Sequence, residues 1–324
     1  MKKILIIRFS SIGDIVLTTP VIRCVKQQVP GAEVHFVTKE IFSEVLAGNP
    51  YIDRLHTFRS SVTEVLKQLR SEKFDVVIDL HRNIRTLQLK QFLRVKNTLV
   101  FNKINFQKFV AVRFKALGIL PHKHIVDRFF EAIAPLHVKS DRKGLDFYIQ
   151  PKDEVNMPAL FFKDEHVKYI ALVVGGSYNT KKIPLEKLEQ ICRNAPMPVV
   201  LLGGAGDKDI AGKLKSMFPA VINGCGNFNI GQSASVIKQA EWIITSDTGL
   251  MHIAAAFHKK IISVWGNTIP DFGMSPYKPR HENITLEIQH LKCRPCSKLG
   301  FKKCPQGHFR CMLDIDYDFI RELH

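Results

Sequence analysis

Along this chain apolar residues come in short, nearly unbroken runs. Each run is closed by a small or polar turn and followed by a stretch whose apolar positions recur every three or four residues. Continuous runs suit strands buried on both faces of a parallel sheet, and the spaced stretches suit helices lying on one. In the first half the pattern predicts strands at residues 3–9, 33–38, 54–57, 76–80 and 98–101. Helices are expected at 16–28, with Pro20 in the first turns, at 42–47, 62–71 and 86–94, and within 106–117 and 125–136. The stretch 62–71 is amphipathic, with Val62, Val65, Leu66 and Leu69 on one face. Periodicity fades from 137 to about 166, where residues 139–143 are charged and Pro151 and Pro158 punctuate the chain. A domain boundary belongs there. The same grammar then restarts, with strands at 169–174, 199–202, 220–222, 242–245 and 261–265, helices between them, and a last helix at 317–323. Such alternation implies two α/β domains, 1–150 and 165–312, each a doubly wound parallel sheet, facing a cleft.

The basic then apolar start, Met1 to Ile7, superficially resembles a signal peptide. Arg8 interrupts it after four apolar residues and no small-residue cleavage site follows, so a first strand of a cytoplasmic protein is expected. No apolar run approaches the roughly 20 residues that a spanning helix needs. The formal charge is +17, and residues 1–150 carry 25 lysines and arginines against 13 acidic residues, which places +12 of it in the first half. That surface would attract nucleic acid, anionic lipid or phosphorylated substrates. Zinc-finger, RRM and KH signatures are missing, and the cations are not interleaved with a series of stacking aromatics, so nucleic acid is not the expected partner.

Candidate chemistry lies in the turns that follow strands, where a parallel sheet binds ligands. Ser246, Asp247, Thr248, Gly249, Leu250, Met251 and His252 join the strand at 242–245 to an alanine-rich helix. Gly249 would let backbone approach a phosphate at the positive end of that helix. An ordinary N-capped helix explains the same residues equally well. Ser177, Lys181 and Lys182 precede a helix opened by Pro184; they suit a diphosphate held without metal, or a solvated basic turn. Asp207 ends a glycine-rich turn, as a ribose ligand or a helix cap. Asp14, among small residues after the first strand, suits a general base or a cap. The second half has neither a G-x-G-x-x-G opening a helix nor a G-x-x-x-x-G-K-[ST], which weakens dehydrogenase and phosphate-loop readings.

Read together, Arg8, Phe9, Ser10, Ser11, Ile12, Gly13, Asp14, then Leu17, Thr18, Thr19 and Pro20, resemble the N-terminal signature of glycosyltransferase family 9, the ADP-heptose:lipopolysaccharide heptosyltransferases. Asn49 to Asp53, Asp79 to His81, Lys181 to Pro184 and Asp247 to Ala256 follow in the family's order and spacing. The resemblance implies a GT-B architecture of two Rossmann-like domains, with acceptor on the first and nucleotide-sugar on the second. It also implies an inverting transfer that requires no cofactor or catalytic metal. Asp14 then matches the catalytic base, and Ser10, Ser11, Gly13, His81 and Arg82 fall on the acceptor side. Lys181 matches the lysine that neutralises the donor's diphosphate, Ser177 a phosphate-contacting hydroxyl and Asp207 the acid at the ribose. Asp247, Thr248, Gly249 and His252 match the motif that binds donor phosphates, with His252 a positioning residue. Ile183 departs from the family's usual tryptophan and would alter packing around the nucleotide. The last helix, 313–324, is expected to return to the first domain.

The expected partners are therefore an ADP-linked sugar, a phosphorylated lipid-linked oligosaccharide and, through the basic first half, the anionic cytoplasmic face of the inner membrane. A non-catalytic nucleotide or nucleic-acid binding protein is the alternative, favoured only by charge. Of seven cysteines, Cys293, Cys296, Cys304 and Cys311 are spaced C-x2-C-x7-C-x6-C with His308 nearby. They suit a structural zinc site; free thiols or a disulfide are the other readings, and a disulfide is out of place in the cytoplasm.

Overall fold

The computed structural model describes residues 2–162, 167–278 and 283–324. The chain forms two compact units, one of residues 1–104 with 123–150, the other of 105–122 with 151–324. The expected domain start at 165 lies outside the described residues.

The first unit opens with β1 (Lys2–Ile7), whose last four residues are buried. Helices α1 (Ile12–Val16) and α2 (Thr19–Gln28) follow where one helix was expected. Pro20 has no N–H for the Val16 carbonyl, which instead accepts the Thr19 hydroxyl at 2.7 Å, while Thr18 Oγ1 bonds Ile15 O at 2.7 Å. Then come β2 (Ala32–Lys39), a 3-10 segment Glu40–Leu46 in place of the expected helix at 42–47, and β3 (Arg54–Phe58). The stretch 62–71 is split into a 3-10 turn and α3 (Leu66–Ser71). The unit continues with β4 (Val76–Asp79), α4 (Ile84–Leu93) and β5 (Asn97–Val100). Helix α5 (Asn105–Phe114) belongs to the second unit, whereas α6 (Ile125–Ala132) returns to the first.

The second unit adds β6 (Ile170–Val173), α7 (Leu185–Asn194), β7 (Val199–Leu202) and α8 (Lys208–Met217). After these come β8 (Ile222–Asn223), α9 (Ile230–Gln239), β9 (Trp242–Ser246), α10 (Gly249–Ala256) and β10 (Lys260–Trp265). Strand β11 (Ile284–Glu287), too short and mixed to show in the apolar pattern, pairs parallel with β10. The expected terminal helix is instead a one-turn α11 (Arg310–Leu313) and a 3-10 segment Asp318–Glu322. It stays with the second unit, because Met312, Ile315, Tyr317, Ile320 and Leu323 are buried in that unit's own core.

Among the described residues both sheets are parallel, ordered β3-β2-β1-β4-β5 and β11-β10-β9-β6-β7-β8. Strand order reverses between β1 and β4 in the first, and between β6 and β9 in the second. Connections on either side of such a reversal leave to opposite faces, which opens a crevice at the strands' carboxyl ends. The turns after β1, β4, β6 and β9 hold most of the residues singled out by sequence. No helix among the described residues is long and apolar enough to cross a membrane.

Candidate active site

In the first unit the turn after β1 is organised by Arg8. An arginine ending a buried strand must find partners, and this one is 6% exposed. Its guanidinium donates to Ser10 O at 2.8 Å and Leu80 O at 2.5 Å and pairs with Asp14 Oδ1 at 2.5 Å. The second Asp14 oxygen accepts Ser11 Oγ at 2.9 Å and Ser11 N at 3.3 Å. Burial by itself would raise the Asp14 carboxyl; the Arg8 charge and the Ser11 donors outweigh it and hold the group at about 2. The carboxylate is therefore ionised throughout the neutral range, and its side chain remains 23% exposed. Gly13 is buried within α1, beside this carboxylate in sequence.

The neighbouring turn after β4 is tied by Asp79. Its fully buried carboxylate accepts His81 N at 3.0 Å and Arg82 N at 2.7 Å and pairs with Lys90 Nζ at 2.8 Å. His81 stacks obliquely on Phe9, ring centroids 5.2 Å apart, which brings the two turns of the first unit together. Burial, helped by the charges of Arg8 and Lys103, pushes the imidazole down to about 4, so it is neutral at physiological pH. Its Nδ1 is buried with no hydrogen-bond partner among the described residues. Arg82 adopts φ 48° and donates to Asn102 Oδ1 at 3.2 Å.

In the second unit, Lys181 Nζ meets Asp247 Oδ2 at 2.5 Å, and Thr268 Oγ1 donates to the same oxygen at 3.3 Å. This pair joins the turns after β6 and β9. Asp247 is followed at once by Thr248, the N-cap of α10, whose hydroxyl accepts Met251 N at 3.4 Å and bonds Thr245 Oγ1 at 3.0 Å. The capping role is thus present. The amides of Gly249 and Leu250, at the start of the helix, still have no intrahelical acceptor. His252 is 2% exposed, within the helix and away from solvent. Ser177 is exposed on the turn after β6.

Asp207 is 7% exposed; one oxygen accepts Gly204 N at 3.0 Å and the other pairs with Lys182 Nζ at 2.6 Å. Glycine at 175 makes room for it, since a Cβ there would sit 2.6 Å from Asp207 Oδ2. Ile183 is 1% exposed and packed in the second unit's core, so its departure from tryptophan bears on the support beneath the lysine turn. Arg8, quoted in the first motif without a role of its own, is the partner of Asp14, and Lys182, expected beside a diphosphate, is engaged by Asp207. The signal for Arg8 was its charge directly after the buried run of the first strand, where a cation must find partners.

No three of Cys293, Cys296, Cys304 and Cys311 bring their sulfurs within 4.8 Å of one another. Among the described residues the one group of three or more ligating side chains within 4.8 Å is His35, His56 and Glu72, in the first unit. Cys293 Sγ lies 3.8 Å from His308 Nε2, whereas the Cys296 thiol points to a carbonyl, Cys293 O at 3.0 Å. Burial pushes the Cys296 and Cys311 thiols up to about 11 and about 12.

The model of glycosyltransferase family 9 (heptosyltransferase) matches residues 62–301. This chain belongs to glycosyltransferase family 9. The family 9 chain is 24% identical over 340 residues to lipopolysaccharide heptosyltransferase 1 of Pseudomonas aeruginosa, covering 97% of this chain and 91% of the relative. Its fold is that of a family 9 glycosyltransferase from Veillonella parvula, with a TM-score of 0.73, 22% identity and coverage of 88% and 86%. It also matches the E. coli heptosyltransferase WaaC solved with ADP, with a TM-score of 0.65, 19% identity and coverage of 87% and 92%. The GT-B fold and glycosyltransferase activity expected from the motifs are those of this family.

Proposed function

We propose that this family 9 enzyme transfers heptose from ADP-heptose, with inversion and without a metal, to a phosphorylated, lipid-linked oligosaccharide of the lipopolysaccharide core. The reading is supported by the names of its relatives and by the solved neighbour that carries ADP. The observation that carries it is the Lys181–Asp247 pair, a cation fixed one residue before the N-cap of α10. An ammonium and a helix N-terminus at one mouth supply the countercharge that a departing diphosphate needs. Asp247 occupies one of three ammonium donors and leaves two for phosphate oxygens.

In this reading the second unit binds the donor and the first the acceptor. The acceptor hydroxyl oxygen attacks the anomeric carbon from the face opposite the diphosphate. The bond from that carbon to the β-phosphate oxygen breaks and its electron pair leaves with ADP, next to Lys181. The hydroxyl proton passes to Asp14. A carboxylate held at about 2 is a weak base, so proton transfer runs late, once the attacking oxygen has become strongly acidic. His81, neutral and packed on Phe9, braces the turn that carries Asp14. Asp207, engaged with Gly204 and Lys182, positions the second lysine. Work at the anionic inner face of the cytoplasmic membrane follows from a lipid-linked acceptor.

Two variants test this with ADP-heptose and a phosphorylated core acceptor. Asp14→Asn should lower kcat by roughly 10²–10⁴ with ADP affinity unchanged. Lys181→Met should weaken ADP binding by about tenfold or more in calorimetry, as loss of a charge-assisted hydrogen bond requires. Wild-type turnover in the first, or wild-type ADP affinity in the second, would overturn the assignment.

A further inference from the structure

From Leu80 to Val126 the chain has ten lysines and arginines and not one aspartate or glutamate. Nine of the fifteen large apolar side chains that stand exposed among the described residues fall in the same run. They are densest on α5, where Phe106, Phe109 and Phe114 are 69%, 57% and 64% exposed, followed by Leu117 and Ile119 at 36% and 40%. The helix buries a single residue completely, Ala111. A surface helix normally turns its apolar side chains inward. This one presents its three phenylalanines outward.

The helix is firmly seated in that orientation. Lys115 Nζ, just past its end, bonds Val112 O at 2.8 Å, Pro295 O at 2.7 Å and Cys293 O at 3.2 Å. Lys108 Nζ lies 5.4 Å over the Phe272 ring. Phe109 and Phe114 meet edge to face at 6.5 Å, and the Arg113 guanidinium lies 5.7 Å from the Phe114 ring. The result is a fixed aromatic patch bordered by cations, on a stretch of chain from which acids are absent.

We propose that α5 and the turn to Ile119 dock this protein on an anionic lipid bilayer. The phenylalanines enter the boundary between headgroups and acyl chains, and the neighbouring basic side chains meet lipid phosphates. Charge selects this occupant: a second copy would set the ten cations of residues 80–126 against their own kind, whereas an anionic leaflet complements them. The inference rests on the lipid-linked acceptor proposed above and names the surface that reaches it.

The test uses the full chain and vesicles of phosphatidylglycerol with phosphatidylcholine, compared with phosphatidylcholine alone. Phe109→Trp, a change at an exposed site, should show blue-shifted emission and quenching by a shallow spin-labelled lipid on anionic vesicles only. Phe106→Ser with Phe109→Ser should lower partitioning by at least about tenfold, the loss of two inserted rings. Each basic residue near the surface contributes about fivefold, so the remaining binding should fall with added salt. Sedimentation with vesicles without any emission change at position 109 would overturn the proposal, because another surface would be binding. Absence of vesicle binding, or a change in oligomeric state of the double variant by light scattering, would do the same. Transfer to a lipid-free acceptor separates the two readings. The double variant should keep it, and a wild-type protein that binds vesicles but not ADP-heptose would refute the functional reading while leaving the surface in place.

Discussion

Replacing Asp14 with asparagine preserves the side chain's shape and removes its charge, which gives the Arg8–Asp14 pair a signature in stability as well as in catalysis. The carboxyl is held at about 2 against an ordinary 3.8, despite burial that acts to raise it. At about 1.4 kcal/mol per unit, the shift corresponds to roughly 2 kcal/mol of stabilisation of the charged form. With the side chain 23% exposed, solvent screening trims that figure only modestly. Because the folded pKa lies below the unfolded one, this stabilisation is fully present above about pH 4 and is lost as pH falls through about 2. Roughly half, about 1 kcal/mol, is gone by pH 3. The substituted amide does not titrate, and it leaves the buried Arg8 without its counterion, a cost of about 3 kcal/mol at neutral pH. Urea unfolding followed by circular dichroism at pH 6 and pH 3 should therefore show the gap between wild type and Asp14→Asn narrowing by about 1 kcal/mol. Other acid-sensitive carboxylates, such as Glu64 with its backbone donors from residues 59–61, are present in both proteins and cancel. A gap that stays constant, or widens in acid, would refute the linkage of Asp14 to Arg8.

Two further variants probe the frame of each unit. Arg23, 3% exposed, ties α2 to the segment at 141–146 through Asp141 at 2.7 Å, Gly144 O at 2.9 Å and Asp146. Arg23→Met should cost about 3–5 kcal/mol in urea unfolding, since it strands two carboxylates, and a loss under about 1 kcal/mol would show the pairs to be dispensable. Gly175→Ala places a Cβ 2.6 Å from Asp207 Oδ2, so it must displace that carboxylate from Gly204 and Lys182. It should destabilise the second unit by about 1–3 kcal/mol in thermal unfolding, and unchanged stability would mean that Asp207 can move freely.

The parallel sheets were readable because their strands hold unbroken apolar runs ended by turns, as in residues 4–7 and Val199–Leu202. What escaped the pattern was local chemistry competing with helix propensity. Thr18 and Thr19 take carbonyls that a continuous helix would use, and Pro20 prevents the helix from running through them. The assignment of α5 to the second unit also escaped, since periodicity records which face of a helix is apolar but not which body it packs on. In this helix even that signal misleads, because its phenylalanines face solvent.

The site residues named from sequence were read as isolated ligands, whereas the fold presents them as ion pairs at crevices of its two sheets. Arg8 with Asp14, Lys181 with Asp247 and Lys182 with Asp207 each join a strand-end turn to a nearby polar group of the opposite charge. With the donor's diphosphate held at this turn, as proposed, pairing has a chemical consequence. A lone lysine carries about 2 kcal/mol of rotamer entropy that a ligand must overcome, and the Asp247 contact has already reduced that freedom. The same carboxylate would oppose a bound diphosphate in every state. As the bond to the sugar breaks, additional negative charge develops on the leaving oxygen, and the fixed ammonium and the amides of α10 gain more than Asp247 opposes. In the proposed donor site the pair therefore favours the transition state over bound ADP-heptose, whose leaving oxygen does not yet carry that charge.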